Sequence, residues 1–226
     1  MAVICALYLT ALELAKAGVY IVSTDEKTGM QALERLHETR PMIAGDTEKR
    51  EFEYIRHGTL ALIASFAVAT GRIVIASVGP RRTEEDFADH IEAVIATDSK
   101  AGWVFILDQL NIHKSETLVH LVAQHCGIKQ ELGIKGKAGI LKSMPTRAAF
   151  LSCADHRIRF VYTPKHTSWL NQIEIWFSIL VRKVLRRGSF VSTAELQQRI
   201  EGFIAYFNET MARAFKWTYK GRPLQA

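Results

Sequence analysis

Gly18-Val-Tyr-Ile-Val-Ser-Thr-Asp25 and Trp103-Val-Phe-Ile-Leu-Asp108 decide the fold. Each is a short run rich in β-branched and aromatic residues, and each closes on an acid. A continuous apolar run of this length, with no polar alternation, reads as a central strand covered on both faces. If the two strands are parallel neighbours, their terminal carboxylates lie side by side. Such a pair repels itself unless a cation sits between. Mg²⁺ suits the place, being hard and commonly held by one or two carboxylates plus phosphate oxygens.

Working outward, the stretch through Lys16 reads as a helix with Leu7, Ala11 and Leu14 on one side, ended by Gly18. Residues 26–50 look irregular, with a helical turn over 31–37. Residues 51–56, 59–70 and 72–78 read as strands, and Thr70-Gly71 supplies a tight turn. Thr83-Glu-Glu-Asp86 is an N-cap followed by acids in the first turn, and Phe87, Ile91, Val94 and Ile95 continue at helical spacing. Ser115 caps a further helix. The Gly- and Lys-rich segment 127–144 reads as an exposed loop. Residues 157–162 form another strand, Ser168 caps a long helix to about Arg187, and Thr193 opens a last helix to about Asn208. A hairpin followed by a βαβ unit predicts an α/β fold, a mixed sheet flanked by helices.

Charge is unevenly spread. The chain of 226 residues carries a net +6, but residues 1–128 hold 12 basic and 17 acidic side chains, whereas residues 129–187 hold 12 basic and 3 acidic. A basic block of that size points to a polyanionic partner. The three cysteines, Cys5, Cys126 and Cys153, form no CxxC pair and fit a reduced, cytoplasmic compartment. No signal peptide is read at the start. Residues 59–78 are apolar but broken by Gly71 and Arg72, so two strands joined by a turn are expected there rather than a membrane span. His120, His125 and Cys126 lack a zinc-binding pattern.

Glu174 lies about 100° from Ile173 on the long helix, at the edge of a stripe made by Ile173, Phe177, Leu180 and Val184. Asn171 and Ser178 share its side. Three carboxylates of this kind can hold two Mg²⁺ about 4 Å apart, which activate a water or 3′-hydroxyl against a phosphodiester.

The words around these acids resemble known motifs. Ser23-Thr-Asp25-Glu-Lys-Thr-Gly-Met-Gln-Ala-Leu-Glu-Arg35 resembles the first-Asp motif of bacterial insertion-sequence transposases related to mariner elements. Leu107-Asp108-Gln-Leu-Asn111-Ile-His-Lys-Ser115 is similar to the second. Thr163-Pro-Lys-His-Thr-Ser-Trp-Leu-Asn-Gln-Ile-Glu174-Ile-Trp-Phe resembles the third, acidic-helix motif. Phe207-Asn-Glu-Thr-Met211 and Phe215-Lys-Trp-Thr-Tyr219 are similar to that family's end. The resemblance is to the insertion sequence 630 family of DDE transposases. It implies a ribonuclease-H-like fold, two Mg²⁺ or Mn²⁺ ions, cleavage of double-stranded DNA at transposon ends, and strand transfer into a TA target.

Carried over to this chain, Asp25, Asp108 and Glu174 are the catalytic metal ligands. Asn111 and Asn171 are expected around the ligands or on DNA. Lys114, Lys165, His166, Arg182, Lys183, Arg186 and Arg187 are likewise expected around the ligands or on DNA. The alternatives for Arg182 to Arg187 and for Lys135, Lys137 and Lys142 are a helix-end charge complement and a solvated loop. His113 touches phosphate or is exposed in a loop. Trp169, Trp176 and Phe177 are expected in the core.

The resemblance further implies a catalytic domain over 1–210, with 127–147 an insertion lengthening the 66-residue gap from Asp108 to Glu174, and a tail over 211–226. The family's N-terminal helix-turn-helix region is expected to be absent. A homodimer on DNA, a nucleoid-associated bacterial location and no membrane attachment complete the reading. Two readings stand beside catalysis: a DNA-binding or multimerising remnant, and a nuclease of the same fold.

Overall fold

The computed structural model describes residues 1–37, 40–49 and 52–219. Helix α1 (Ala2–Lys16) leads into strand β1 (Val19–Arg35), which pairs with β2 (Tyr54–Ala67), and β2 with β3 (Arg72–Gly79). Helix α2 (Glu84–Ala96) returns the chain to β4 (Gly102–Leu107). Helix α3 (Glu116–His125), a small hairpin of β5 (Gly133–Ile134) and β6 (Ala138–Gly139), and helix α4 (Met144–Leu151) follow. Then come β7 (Ile158–Tyr162), α5 (Ile173–Leu180) and α6 (Thr193–Thr210).

The main sheet runs β3-β2-β1-β4-β7. β1 is antiparallel to β2 and parallel to β4, and β4 is parallel to β7. A mixed five-stranded sheet with helices on both faces is the α/β architecture expected from the sequence. Strand alternation divides the core. Val22, Phe105, Leu107 and Phe160 face α2, α3 and α4. Ile21, Val104 and Ile106 face α1, and Ala64 and Phe66 face α5 and α6. No helix among the described residues is long and apolar enough to cross a membrane.

Several expectations need correction. Residues 26–35 are not irregular: β1 continues to Arg35. Glu26 to Gly29 hide the alternation, and a register shift between Lys27 and Met30 at Gly29, with φ +69°, lets the strand resume with Met30 and Ala32 buried. Residues 54–67 form one strand, not two; the sequence expectation for its start at residue 51 lies outside the described residues. Met144–Leu151 is a helix, because Ser143 and Thr146 close a capping box and Pro145 sits in the first turn.

Ser168 caps no long helix, since Ser168–Leu170 is a separate short 3₁₀ turn. α5 stops at Leu180 and passes into a π-helical turn over Val181–Leu185. Thr83 behaves as expected, closing a capping box with Asp86.

The tail over 211–219 has no regular secondary structure but packs on the domain. Phe215 stacks on Phe66 with ring centroids 4.9 Å apart, and Trp217 meets Tyr8 edge-on at 4.8 Å. Gly71 (φ +72°) makes this approach possible, because a Cβ there would lie 2.0 Å from the carbonyl oxygen of Arg213. Trp176 and Phe177 are buried as expected, whereas Trp169 is 52% exposed, its ring against Tyr219. Residues 220–226 of the tail lie outside the described residues.

A polar seam crosses the sheet. Thr24 Oγ1 lies 2.7 Å from Ser65 Oγ, and His90 joins Ser65 through Nε2 and Ser77 through Nδ1, each at 2.8 Å. Burial pulls the His90 imidazole from 6.5 down to about 3. The depressed value means that the folded protein holds His90 neutral while the unfolded chain takes a proton near pH 6.5. Its contribution is therefore complete above pH 6.5 and is lost as pH falls toward 3. From pH 7 to 4.5 that loss is on the order of 2 kcal/mol. Denaturant unfolding at the two pH values should show His90→Gln losing less stability than the parent; an equal loss would remove His90 as the cause.

Candidate active site

The site begins with register. Ser23 pairs with Ile106 across parallel strands β1 and β4. Two residues further on, Asp25 and Asp108 lie on the same face just past the β1–β4 pairing, β4 ending at Leu107 while β1 runs on beside β2. Neighbouring strands are about 4.8 Å apart, so the carboxylates share one edge. Asp25 is buried, and the Asp108 side chain is 31% exposed.

Helix α5 is pinned to this edge by polar groups. Ser23 Oγ accepts from Ile173 N–H at 3.0 Å. Tyr8 of α1 donates to the Leu170 carbonyl at 2.7 Å and accepts from Gln172 N–H at 3.3 Å. Asn171, fully buried, donates through Nδ2 to the Thr24 carbonyl at 3.0 Å and to Asp25 Oδ2 at 3.1 Å, and accepts from the Ser23 hydroxyl. These contacts hold Glu174, in the first turn of α5, on the side of Lys27 and Asp108.

The electrostatics record that convergence. Burial, then the charges of Glu26 and Asp108, push the Asp25 carboxyl up to about 7 against the Glu26 N–H hydrogen bond and the charge of His113. Burial also raises Glu174, with Asp108 adding to the rise and Lys27 opposing it. Asp108 behaves differently. Burial pushes it up, but the hydrogen bond from His113, the Leu110 N–H and the charges of His113 and Arg82 outweigh that and hold it low.

His113 is neither exposed nor free to touch phosphate, as the sequence suggested; it is wholly buried. Nδ1 lies 2.8 Å from Asp108 Oδ1 and Nε2 lies 3.0 Å from Glu26 Oε1. Burial would lower its pKa, but these two carboxylates lift it to about 9. The imidazolium thus donates to both, and Arg82 Nη1 lies 3.5 Å from Glu26 Oε2. Glu26, Arg82, Ser23 and Tyr8 are the residues that sequence reasoning missed. For Glu26 a signal existed: in a continued β1 it points to the face opposite Asp25.

Beside Asp108 opens a cavity of about 640 Å³ whose wall includes Arg82, Asn111, Lys165, His166 and Ser168. His166 is the one non-glycine residue with positive φ (62°) among the described residues, a strained conformation of the kind that gathers at functional sites. Lys114 does not line this cavity; it bonds Gln109 and sits 4.9 Å over the Tyr162 ring. Arg182 lines a separate depression with Lys27 and Glu174. Lys183 and Arg187 line a third, against α6, and Arg186 is exposed beside neither. The expected DNA contacts therefore fall into distinct groups.

Oxygen donors alone, with one carboxyl pushed up by burial and then by neighbouring carboxylates, suit a hard divalent cation, which would offset both. Among the described residues no three His, Cys, Asp or Glu side chains close a cage around one ion. The edge instead fits Mg²⁺ or Mn²⁺ held by one or two carboxylates, with water and phosphate oxygens completing the shell.

Several solved structures are similar in outline. The Mos1 mariner paired-end complex with Mn shares 13% identity, covering 91% of this chain and 60% of that chain, with a TM-score of 0.35. The Mos1 transposase paired-end complex with left transposon end shares 12%, over 92% and 61%, at 0.35. The Mos1 strand transfer complex shares 10%, over 91% and 61%, at 0.30. This chain thus spans about 60% of the length of those chains. No curated protein sequence matches it. The family described as DDE superfamily endonuclease matches residues 20–197, which take in Asp25, Asp108 and Glu174, and the chain belongs to that family.

Proposed function

We propose that the chain is the catalytic core of a DDE transposase of the insertion sequence 630 family, of bacterial origin. It cuts double-stranded DNA at transposon ends and joins the ends to a TA target, acting as a homodimer on DNA. The observation that carries this is the shared edge: Asp25 and Asp108 each lie two residues past the last β1–β4 pair, on the same face, and Asn171 ties the start of α5, hence Glu174, to Asp25. Asp25, Asp108 and Glu174 would hold two Mg²⁺ or Mn²⁺ ions. Such a pair, when bound, activates an attacking water or 3′-hydroxyl and steadies the leaving oxygen.

The protein's own groups position the substrate. Lys165, His166 and Asn111 face the cavity beside Asp108, where a phosphate and its flanking sugar would lie. Arg82 on the same wall adds positive charge. Asn171 fixes the Asp25 carboxylate through its Nδ2, and His113 fixes that of Asp108 through its Nδ1.

The test is nicking and strand transfer, with Mg²⁺ or Mn²⁺, on DNA carrying the element's terminal repeats. Cutting that needs the metal and disappears in Glu174→Gln is the expected result. Cutting that persists in chelator, or in Glu174→Gln, would overturn the assignment. Cleavage without joining would reduce the reading to a nuclease of the same fold.

A further inference from the structure

The π-helical turn that ends α5 has a chemical consequence. Arg186 N–H donates to the Val181 carbonyl at 2.8 Å, the five-residue bond of a π turn. Arg182 stays on the side of Glu174, while Lys183 and Arg187 turn toward α6. There they meet Arg199, Phe203 and Tyr206, which recur along one face of α6 at helical spacing. Together these side chains wall a cleft of about 310 Å³.

Among the described residues three cations converge on the cleft, and no carboxylate lines it. None of the three is in an ion pair among the described residues. Like charges held together without counter-charge repel, and a polyanion relieves that repulsion while releasing its own counterions. Phe203 is half-buried, and Tyr206, 55% exposed, offers a flat apolar ring and a hydroxyl donor. A deoxyribose against the ring and a phosphate among the cations would satisfy both.

We propose that this cleft is a DNA-backbone site separate from the catalytic edge, gripping a duplex segment other than the one at the carboxylates. Lys183 and Arg187 contribute from the π turn, and Arg199 and Tyr206 from α6. The proposal rests on the reading of the protein as a DNA enzyme. Arg182, beside Glu174, belongs to the catalytic edge instead, so neighbouring cations in sequence serve two different DNA segments.

The test is fluorescence anisotropy of a labelled synthetic DNA duplex at several salt concentrations, in chelator so that nothing is cut. Each phosphate contact contributes a salt slope of about 0.9, which at 0.1 M salt corresponds to roughly eightfold in affinity. Arg199→Ala should therefore weaken binding roughly five- to tenfold and lower the slope by about one. Arg199→Lys should recover most of the loss, and Tyr206→Ala should weaken binding with the slope unchanged. Lys16→Ala, on α1 and paired with Glu13, should bind like the parent.

Unaltered affinity and slope in Arg199→Ala, with an unaltered unfolding temperature, would overturn the proposal, as would tighter binding of an RNA duplex than of DNA. The two readings separate cleanly. If the parent cuts DNA with Mg²⁺ but Arg199→Ala binds as tightly, the cleft falls and the enzyme stands. If Arg199→Ala loses affinity but the parent makes no metal-dependent cut, the cleft stands and the enzyme falls.

Discussion

Asp25→Asn and Asp108→Asn should each reduce metal-dependent strand cleavage roughly a thousandfold or more. A dication at a phosphoryl centre supplies several kcal/mol of charge stabilisation, and every 1.36 kcal/mol is tenfold in rate. Asparagine keeps the shape of the side chain but removes the charge that holds the ion.

The same substitution at Asp25 should act on stability in the opposite sense. Burial, with Glu26 and Asp108 beside it, pushes this carboxyl up to about 7. For an acid whose folded value is raised, stability is greatest below the unfolded value of 3.8 and falls as pH rises to 7. At pH 8 without metal, Asp25→Asn should therefore be more stable than the parent, by an amount on the order of 1 kcal/mol or more. Adding Mg²⁺ should raise the unfolding temperature of the parent and leave that of the variant nearly unchanged. Cleavage assays and thermal unfolding with and without Mg²⁺ check both halves. Full cleavage by either variant would remove that residue from the catalytic set, and a less stable metal-free Asp25→Asn would show that the acidic edge is not strained.

The second large effect belongs to His113. Its side chain and that of Glu26 are 0% and 1% exposed, and the imidazolium lies between two carboxylates. Removing one partner of a buried ion pair leaves an uncompensated charge, which costs about 3–5 kcal/mol. His113→Ala leaves Glu26 buried with Arg82, 3.5 Å away, as its one counter-charge among the described residues. It also frees the Asp108 carboxylate, and loss of a group that orients a metal ligand typically costs about 10–100-fold in metal affinity or activity.

Denaturant unfolding should show a loss in that range, and the Mn²⁺ concentration for half-maximal cleavage should rise. Glu26→Gln should lose less stability than His113→Ala, because the amide oxygen still accepts from Nε2. If His113→Ala unfolds like the parent and needs no more metal, the Asp108–His113–Glu26 chain has no positioning role.

Local chemistry shapes some parts of this protein and long-range contacts shape others. Val19 to Val22 and Trp103 to Leu107 were legible because a strand buried on both faces needs apolar residues at every position. The acids that end them stand out by contrast, and parallel register brings them together. Thr83-Glu-Glu-Asp86 was legible because a capping box is local chemistry. The continuation of β1 was not, because Glu26 to Gly29 break the alternation and the strand's partner, β2, arrives from many residues later.

Glu26 went unnoticed with it, and His113 read as a loop histidine, because a buried ion pair spanning 87 residues leaves no local pattern. The end of α5 was equally hidden. Ile173 to Arg187 keeps helical character throughout, and only the packing against α6 shows which cations face which way. By itself, then, the sequence determined the central strands and most helix starts, since each depends on burial or capping within a few residues, while the three acids were singled out by the resemblance of the words around them. Tertiary structure alone decided the Asp108–His113–Glu26 chain, the pinning of Glu174 by Asn171 and Tyr8, and the cleft beside the π turn, since each joins groups that the chain holds far apart.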